Sequence, residues 1–263
     1  MAEDGSYIEA GRGQTTLVFL HGIGGNADAW TRQLDWLART GRARGLAWNL
    51  PGYGGTPLVD PYNWAGLAAA LNAFINRHGV ERPVLVGHSM GGMLAQEYAC
   101  RYPAGPGALV LSATTSSFGR PDGDWQQAFV ADRLKPLEAG QGMAALAKAL
   151  VPAMLGRDPN PDGVASALSA MGRVPEETYR HALRNLVTFN RRDELHAISV
   201  PTLLIAGEED RTAPAEVMRR MAERIAGADF VLLPKAGHLA NMEQPGAFND
   251  ALDGFLGNLE ACR

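Results

Sequence analysis

A chain of 263 residues, 46% hydrophobic and 20% charged, fits one large soluble α/β domain with an insertion better than two independent domains. Its formal net charge of −4 gives no electrostatic reason to bind nucleic acid or an anionic membrane. No apolar run reaches the length of a membrane span, and the acidic start Met1-Ala2-Glu3-Asp4-Gly5 lacks a signal-peptide core. Cys100 and Cys262 stand apart without metal-ligand spacing, which reads as two free thiols in a reducing, cytoplasmic compartment and gives no metal site.

In chain order, Tyr7-Ile8-Glu9-Ala10 is a short strand candidate. Thr15–Leu20 is β-rich and nearly all apolar, as a strand buried on both faces should be. It runs into the flexible loop His21-Gly22-Ile23-Gly24-Gly25. Asn26 or Asp28 then caps a helix carrying Trp30, Leu34, Trp36 and Leu37. A third strand, Gly45–Trp48, precedes the turn Asn49–Thr56, and a helix from about Asn63 to His78 carries Leu67, Leu71, Phe74 and Ile75 on one face. Val84–Val86 and Ala108–Leu111 are further buried strands. Strand and helix alternate throughout this half, which predicts a mostly parallel sheet covered by helices on both faces.

The alternation stops at about Thr115. Four helix-like pieces follow, near Trp125–Leu134, Gly142–Leu155, Gly163–Met171 and Pro175–Phe189, punctuated by Pro136, Pro152, Pro159, Pro161 and Pro175. This divides the chain into a core of residues 1–115 and 191–263 and a helical insertion, residues 116–190, expected to lie as a lid over the carboxyl ends of the sheet. The alternation resumes with the strand Val200–Ala206, a helix from Pro214 to Ile225, the strand Phe230–Leu233 and a closing helix from Met242 to Leu259.

The chemistry centres on Gly87-His88-Ser89-Met90-Gly91, which joins the strand ending at Val86 to the helical run Met93–Ala99. A strand that turns straight into a helix through Gly-x-Ser-x-Gly is a nucleophile elbow, with Ser89 held in a strained conformation that exposes its hydroxyl. Such a serine needs a base in reach and an acid to orient the base, and after this elbow the acid comes second in the chain and the histidine last. Asp210 ends Gly207-Glu208-Glu209-Asp210, just past one buried strand. His238 lies just past the next, with room between for one helix and one strand. Ser89, Asp210 and His238 therefore form the candidate catalytic triad. The oxyanion of a tetrahedral intermediate needs two donors, assigned to the backbone N–H groups of Met90 and Ile23. Glu208 and Glu209 are expected to point elsewhere, and His88 to pack beside the elbow rather than act as base. His21 is expected to brace its own loop. His78, His181 and His196 lie in helical or linking segments and take no direct role.

Together these pieces resemble the α/β-hydrolase family over nearly the full chain. They are His21-Gly22, Pro51-Gly52-Tyr53-Gly54, Gly87–Gly92, Pro201–Gly207 with Asp210, and Gly237-His238. Asp193-Glu194-Leu195 before Ile198–Pro201, and Asn241-Met242-Glu243-Gln244-Pro245, look most like its 3-oxoadipate enol-lactonase and small carboxylesterase branch. The resemblance implies a helical cap inserted after the sixth strand and hydrolysis through an acyl-enzyme without a cofactor. The substrate would be a small ester or (enol-)lactone. Ser89 excludes the branches whose nucleophile is aspartate, the haloalkane dehalogenases and related epoxide hydrolases. The short N-terminus points to a missing or truncated first antiparallel strand, and Asn49 stands where the family often has an acid. Two other readings keep the same triad. One is carbon–carbon bond cleavage of the meta-cleavage-product type, whose enzymes usually have asparagine at the place of His88 and a cap arginine for the substrate carboxylate. Arg173, Arg180, Arg184, Arg191 and Arg192 are the arginines available for that task. The other is a non-enzymatic ligand receptor. Oligomeric state leaves no mark in the sequence.

Overall fold

Leu17 and Phe19 on strand β2 (Thr16–Leu20) pack on one side of the central sheet, and Val18 and Leu20 on the other. All four are buried, because side chains alternate across a strand and both faces of this one are covered. The computed structural model, which describes residues 6–119 and 123–261, repeats this pattern in β4 (Val84–His88), β5 (Ala108–Ser112) and β6 (Thr202–Gly207). With β1 (Tyr7–Gly11), β3 (Arg44–Trp48) and β7 (Asp229–Leu233) they form a seven-stranded sheet in the order β1-β3-β2-β4-β5-β6-β7. Only the edge pair β1–β3 is antiparallel. Cys262 and the acidic stretch Met1–Gly5 lie outside the described residues.

Helices cover both faces. Leu34 and Leu37 of α1 (Thr31–Thr40) pack on one side with Phe248, Leu252, Phe255 and Leu256 of α10 (Pro245–Ala261). On the other lie α2 (Trp64–Arg77), α3 (Met90–Arg101) and α8 (Ala215–Ala222). Asn26 caps a 3-10 turn, Ala27–Trp30, that leads into α1, and Asn63 caps α2 by accepting the Gly66 N–H at 2.8 Å. The predicted closing helix from Met242 is in fact two. A short α9 (Ala240–Glu243) ends before α10 begins at Pro245, since proline supplies no N–H and disfavours the helical conformation at Gln244, which lies at φ −129° and ψ 59°.

Between β5 and β6 the described residues form four α-helices, α4 (Asp124–Glu138), α5 (Gly142–Met154), α6 (Pro161–Gly172) and α7 (Glu176–Leu186), close to the predicted spans. Pro136 and Pro152 lie inside α4 and α5 rather than between helices, near their C-terminal ends, so that any kink they impose has only the last residues of each helix beyond it. The insertion leaves the fifth strand in the chain and not the sixth, because the described residues hold one antiparallel strand where the expected count needs two. Leu146, Val151, Met171 and Leu183 of the insertion are buried in the same apolar cluster as Leu20 and Met93 of the core. No helix of the described residues is long and apolar enough to cross a membrane.

Where the insertion returns to the core, an ion-pair cluster ties it to the elbow helix. Glu97 on α3 is buried, and Arg191 grips its carboxylate with two N–H donors at 2.6 and 3.0 Å. Arg101 and Glu194 complete the cluster. Burial disfavours the Glu97 charge, but the paired arginines outweigh it and hold the carboxyl below its ordinary 4.5. Arg191→Leu strands a buried carboxylate with Arg101 as its remaining partner. It should cost about 2–3 kcal/mol at neutral pH, a fall of roughly 5–10 °C in melting temperature by calorimetry. A depressed folded pKa means the pairing stabilises above the unfolded value and is lost as pH falls through the folded one. The gap between wild type and variant should therefore narrow in scans below pH 4.5.

Candidate active site

The strand order reverses between β2 and β4, and the loops leaving their carboxyl ends diverge there to open a crevice. One of those loops is His21–Gly25 and the other is the turn at Ser89. Ser89 adopts φ 51° and ψ −115°, a region non-glycine residues occupy only under constraint. A Cβ on Gly87 would sit 2.4 Å from the Gly91 carbonyl oxygen, and one on Gly91 would sit 2.1 Å from that of Leu20. Both positions must therefore be glycine for the turn to close. The Ser89 N–H donates to the Ser112 carbonyl at 2.9 Å. The Ser89 carbonyl accepts the N–H groups of Gly92 and Met93 and, at 2.8 Å, the Thr114 hydroxyl. With its backbone fixed on both sides, the serine side chain is left facing a cavity of about 660 Å³.

His238 lines the same cavity from the loop after β7. Its Nδ1 stands 2.9 Å from Asp210 Oδ2, and both side chains are buried. Asp210 Oδ1 accepts the N–H groups of Thr212 and Ala213 at 2.7 and 2.9 Å. Burial works against the Asp210 charge, but the His238 ring and these two donors outweigh it and hold the carboxyl below its usual range. An ionised Asp210 only accepts, so the proton of the neutral imidazole lies on Nδ1 and leaves Nε2 free as a base. Among the described residues the His238 ring makes a hydrogen bond to Asp210 and none to Ser89 Oγ.

Of the two main-chain donors named from sequence, Ile23 belongs to the cavity wall and Met90 does not. Ile23 lines the cavity, Met90 opens α3 beside Ser89, and neither N–H is engaged in a hydrogen bond among the described residues. The Ile23 loop is braced as expected. His21 Nδ1–H donates to the Gly22 carbonyl at 2.8 Å, and its Nε2 accepts the Leu50 N–H at 3.1 Å. That arrangement requires neutral imidazole, and burial lowers the His21 pKa to about 4. The Tyr53 hydroxyl donates to the Ile23 carbonyl at 3.0 Å, and Asn49 Oδ1 accepts the Ala27 N–H at 2.7 Å just beyond the loop.

The competitors point elsewhere. Glu208 accepts the Lys235 N–H, and Glu209 pairs with Arg157 at 2.8 Å. His78, His181 and His196 do not line the cavity, nor do any of the five arginines considered from sequence. Arg173 pairs with Asp28, Arg180 with Glu176 and Arg191 with Glu97. The arginines on the cavity wall are Arg133 and Arg211. His88 does more than pack. Its Nε2–H donates to the His238 carbonyl at 2.8 Å, fastening the elbow to the loop of the base. Burial, with the nearby His238 ring, lowers the His88 pKa to about 3.

Sequence reasoning missed the function of Glu243. This buried carboxylate on α9 accepts the N–H groups of Gly237 and Leu239, which flank His238, and that of Gly156, just past α5. Burial, helped by the charge of Asp210, pushes its carboxyl up despite these donors. The His238 N–H in turn donates to the Met154 carbonyl at 2.7 Å. An acid five residues beyond the base, ahead of a proline, was the available signal. Among the described residues no cluster of three or more His, Cys, Asp or Glu side chains could hold a metal ion.

Known proteins share this architecture. A 2-hydroxy-6-oxononadienedioate/2-hydroxy-6-oxononatrienedioate hydrolase of Paraburkholderia phymatum is 30% identical, with 95% of this chain and 90% of that protein aligned. A thermophilic esterase from Thermogutta terrifontis superposes with a TM-score of 0.85 at 26% identity, over 97% of this chain and 93% of its own. The enol-lactonase from Burkholderia xenovorans superposes with a TM-score of 0.84 at 26% identity, over 95% of each chain. The sequence model of the alpha/beta hydrolase fold matches residues 15–245, from the threshold of β2 to the first residue of α10, and the chain belongs to that family.

Proposed function

We propose that this hydrolase cleaves a small carboxylic ester or lactone through an acyl-enzyme on Ser89. The observation that carries the reading is the buried Asp210–His238 hydrogen bond opening onto the cavity that Ser89 faces. In the first half-reaction Ser89 Oγ attacks the carbonyl carbon as its proton passes to His238 Nε2, and Asp210 stabilises the imidazolium. The oxyanion that forms takes hydrogen bonds from the Ile23 and Met90 N–H groups. Its collapse breaks the bond to the leaving alkoxide, which collects the proton from His238. Water, activated by the same Nε2, then attacks the acyl carbon and frees Ser89. A lactone follows the same path, with its leaving group still tethered to the acyl part.

Residues 1–115 and 191–263 serve in this reading as the catalytic core, and residues 116–190 as the lid that shapes the substrate space. The similarity to an esterase and an enol-lactonase at 26% identity supports ester chemistry. The 30% identical relative named for a dienedioate supports a second reading, carbon–carbon cleavage by the same triad. His88 bears on that choice, because its ring is already committed to the His238 carbonyl.

Ser89→Ala should lower kcat on a short p-nitrophenyl ester by at least about 10⁴-fold with an unchanged circular dichroism spectrum; turnover near the wild-type rate would falsify the nucleophile assignment. Asp210→Asn retains an oxygen for the Thr212 and Ala213 donors but turns an amide N–H toward His238 Nδ1. That forces the ring into the tautomer with its proton on Nε2, where it no longer accepts from serine. Stopped assays should find kcat reduced about 10³–10⁴-fold at an unaltered melting temperature, and a near-normal kcat would mean that another acid orients the base. Assaying the wild type on an enol-lactone beside a meta-cleavage product separates the two bond classes.

A further inference from the structure

The turn between β3 and α2 braces the loop that carries Ile23. The Ile23 N–H belongs to the Gly22–Ile23 peptide, and in a trans peptide it points away from the Gly22 carbonyl. Whatever holds that carbonyl therefore aims the N–H. Two groups of the loop itself do so, the His21 Nδ1–H at 2.8 Å and the Gly25 N–H at 2.9 Å. The following peptide is fixed from outside the loop. The Tyr53 hydroxyl donates to the Ile23 carbonyl at 3.0 Å, while the Leu50 N–H of the same turn donates to His21 Nε2 at 3.1 Å. One turn thus grips the loop on both sides of the Ile23 N–H. Tyr53 is buried, with its ring centroid 4.6 Å from that of His21. Burial raises the Tyr53 pKa, so the hydroxyl keeps the proton it donates.

The turn can serve as a brace because it is itself held. The Tyr53 N–H donates to the Leu50 carbonyl at 2.9 Å, and the Thr56 hydroxyl lies 2.8 Å from the Leu50 carbonyl and 2.7 Å from that of Tyr53. A further hold comes from the insertion. Thr178, buried on α7, donates its hydroxyl to the Gly52 carbonyl at 2.9 Å. The approach is close: Gly52 adopts φ 89°, and a Cβ there would sit 2.7 Å from Thr178 Oγ1. Since Gly52 directly precedes Tyr53, contacts run unbroken from α7 through Gly52 and Tyr53 to Ile23. This route is separate from the Glu243 network, which joins the end of α5 to the loop of His238.

Resting on the hydrolase reading above, we infer that Tyr53 is a positioning residue for the oxyanion donor at Ile23 and that Thr178 couples this brace to the insertion. A ground-state carbonyl oxygen is a modest acceptor, so the aim of the donor matters little to substrate binding. As the oxyanion forms, that aim decides how much of the new charge is stabilised. Tyr53 does not line the cavity and acts only through the Ile23 peptide. Loss of its hydroxyl should therefore lower kcat and leave KM in place. Through Thr178 the insertion bears on turnover as well as on the shape of the cavity.

Tyr53→Phe removes one hydroxyl and keeps the ring. On a short p-nitrophenyl ester its kcat should fall about 10-fold, less than the roughly 10²–10³-fold cost of deleting a donor outright, with KM within about twofold of wild type. An alkyl boronic acid, which presents a tetrahedral oxyanion on Ser89, should lose affinity by the same factor as kcat. An unchanged kcat, or a fall matched by a raised KM and a lowered melting temperature, would overturn the positioning role. Thr178→Val should lower kcat about 3-fold, and the double variant should fall no further than Tyr53→Phe alone. Falls that multiply would overturn the coupling to the insertion. Hydrogen exchange at the Gly25 amide, followed by NMR, reads the brace without turnover. It should quicken at least about 5-fold in Tyr53→Phe, and a wild-type exchange rate would overturn the brace. If wild type hydrolyses no ester, the hydrolase reading fails while the exchange rate still judges Tyr53. Should Tyr53→Phe misfold, Thr178→Val carries the same exchange measurement.

Discussion

The strained backbone of Ser89 is the constraint on which the site depends. A residue at φ 51° and ψ −115° relaxes unless its neighbours forbid it. Here the restraint is distributed over the sheet. Ser112 on β5 holds the serine N–H, Thr114 and the first turn of α3 hold its carbonyl, and Gly87 and Gly91 allow β4, α3 and the end of β2 to approach more closely than any side chain would permit. The same approach brings Met90 N–H and the Ile23 loop to the end of the sheet at which the hydroxyl emerges. Geometry that is costly for one residue is thereby held by three strands and a helix.

The loop of His238 is held by a second arrangement, and that one reaches into the insertion. Glu243 gathers the N–H groups on either side of His238 together with that of Gly156, while Met154 accepts from His238 itself. His88 adds a bond from the elbow to the His238 carbonyl. The loop of the base is therefore fixed to α9, to the end of α5 and to the residue before the nucleophile. A rotation of α5 cannot leave the His238 loop untouched. The insertion helices and the loop that carries His238 share hydrogen bonds, not merely a cavity.

Much of this was legible in the sequence. Runs such as Leu17–Leu20 and Val84–Val86 announce strands buried on both faces, and the places of Ser89, Asp210 and His238 just after such runs put them at one end of a parallel sheet. Local capping and loop chemistry told equally well at Asn26 and His21. What escaped was whatever depends on pairing across long separations. Arg191, one of five arginines offered for a ligand, is occupied by Glu97 on a helix almost a hundred positions earlier, and periodicity carries no trace of that bond. Glu243 looked like part of a family signature until its three donors were visible. The break at Pro245 and the place of Pro136 inside a helix are boundary matters, decided by single N–H groups that a pattern of apolar residues does not weigh.

Arg133 illustrates why the cavity lining was the least readable layer. Its sequence surroundings, Val130-Ala131-Asp132-Arg133-Leu134, read as an ordinary amphipathic stretch in which charge belongs to solvent. Only the packing of α4 beside α7 turns that face toward the cavity, and only the absence of a carboxylate within reach among the described residues distinguishes this arginine from Arg173 or Arg180. Reaction type in this fold follows from strand ends, which the chain order determines. Which insertion side chains are left without a partner depends on every other pairing having first been made.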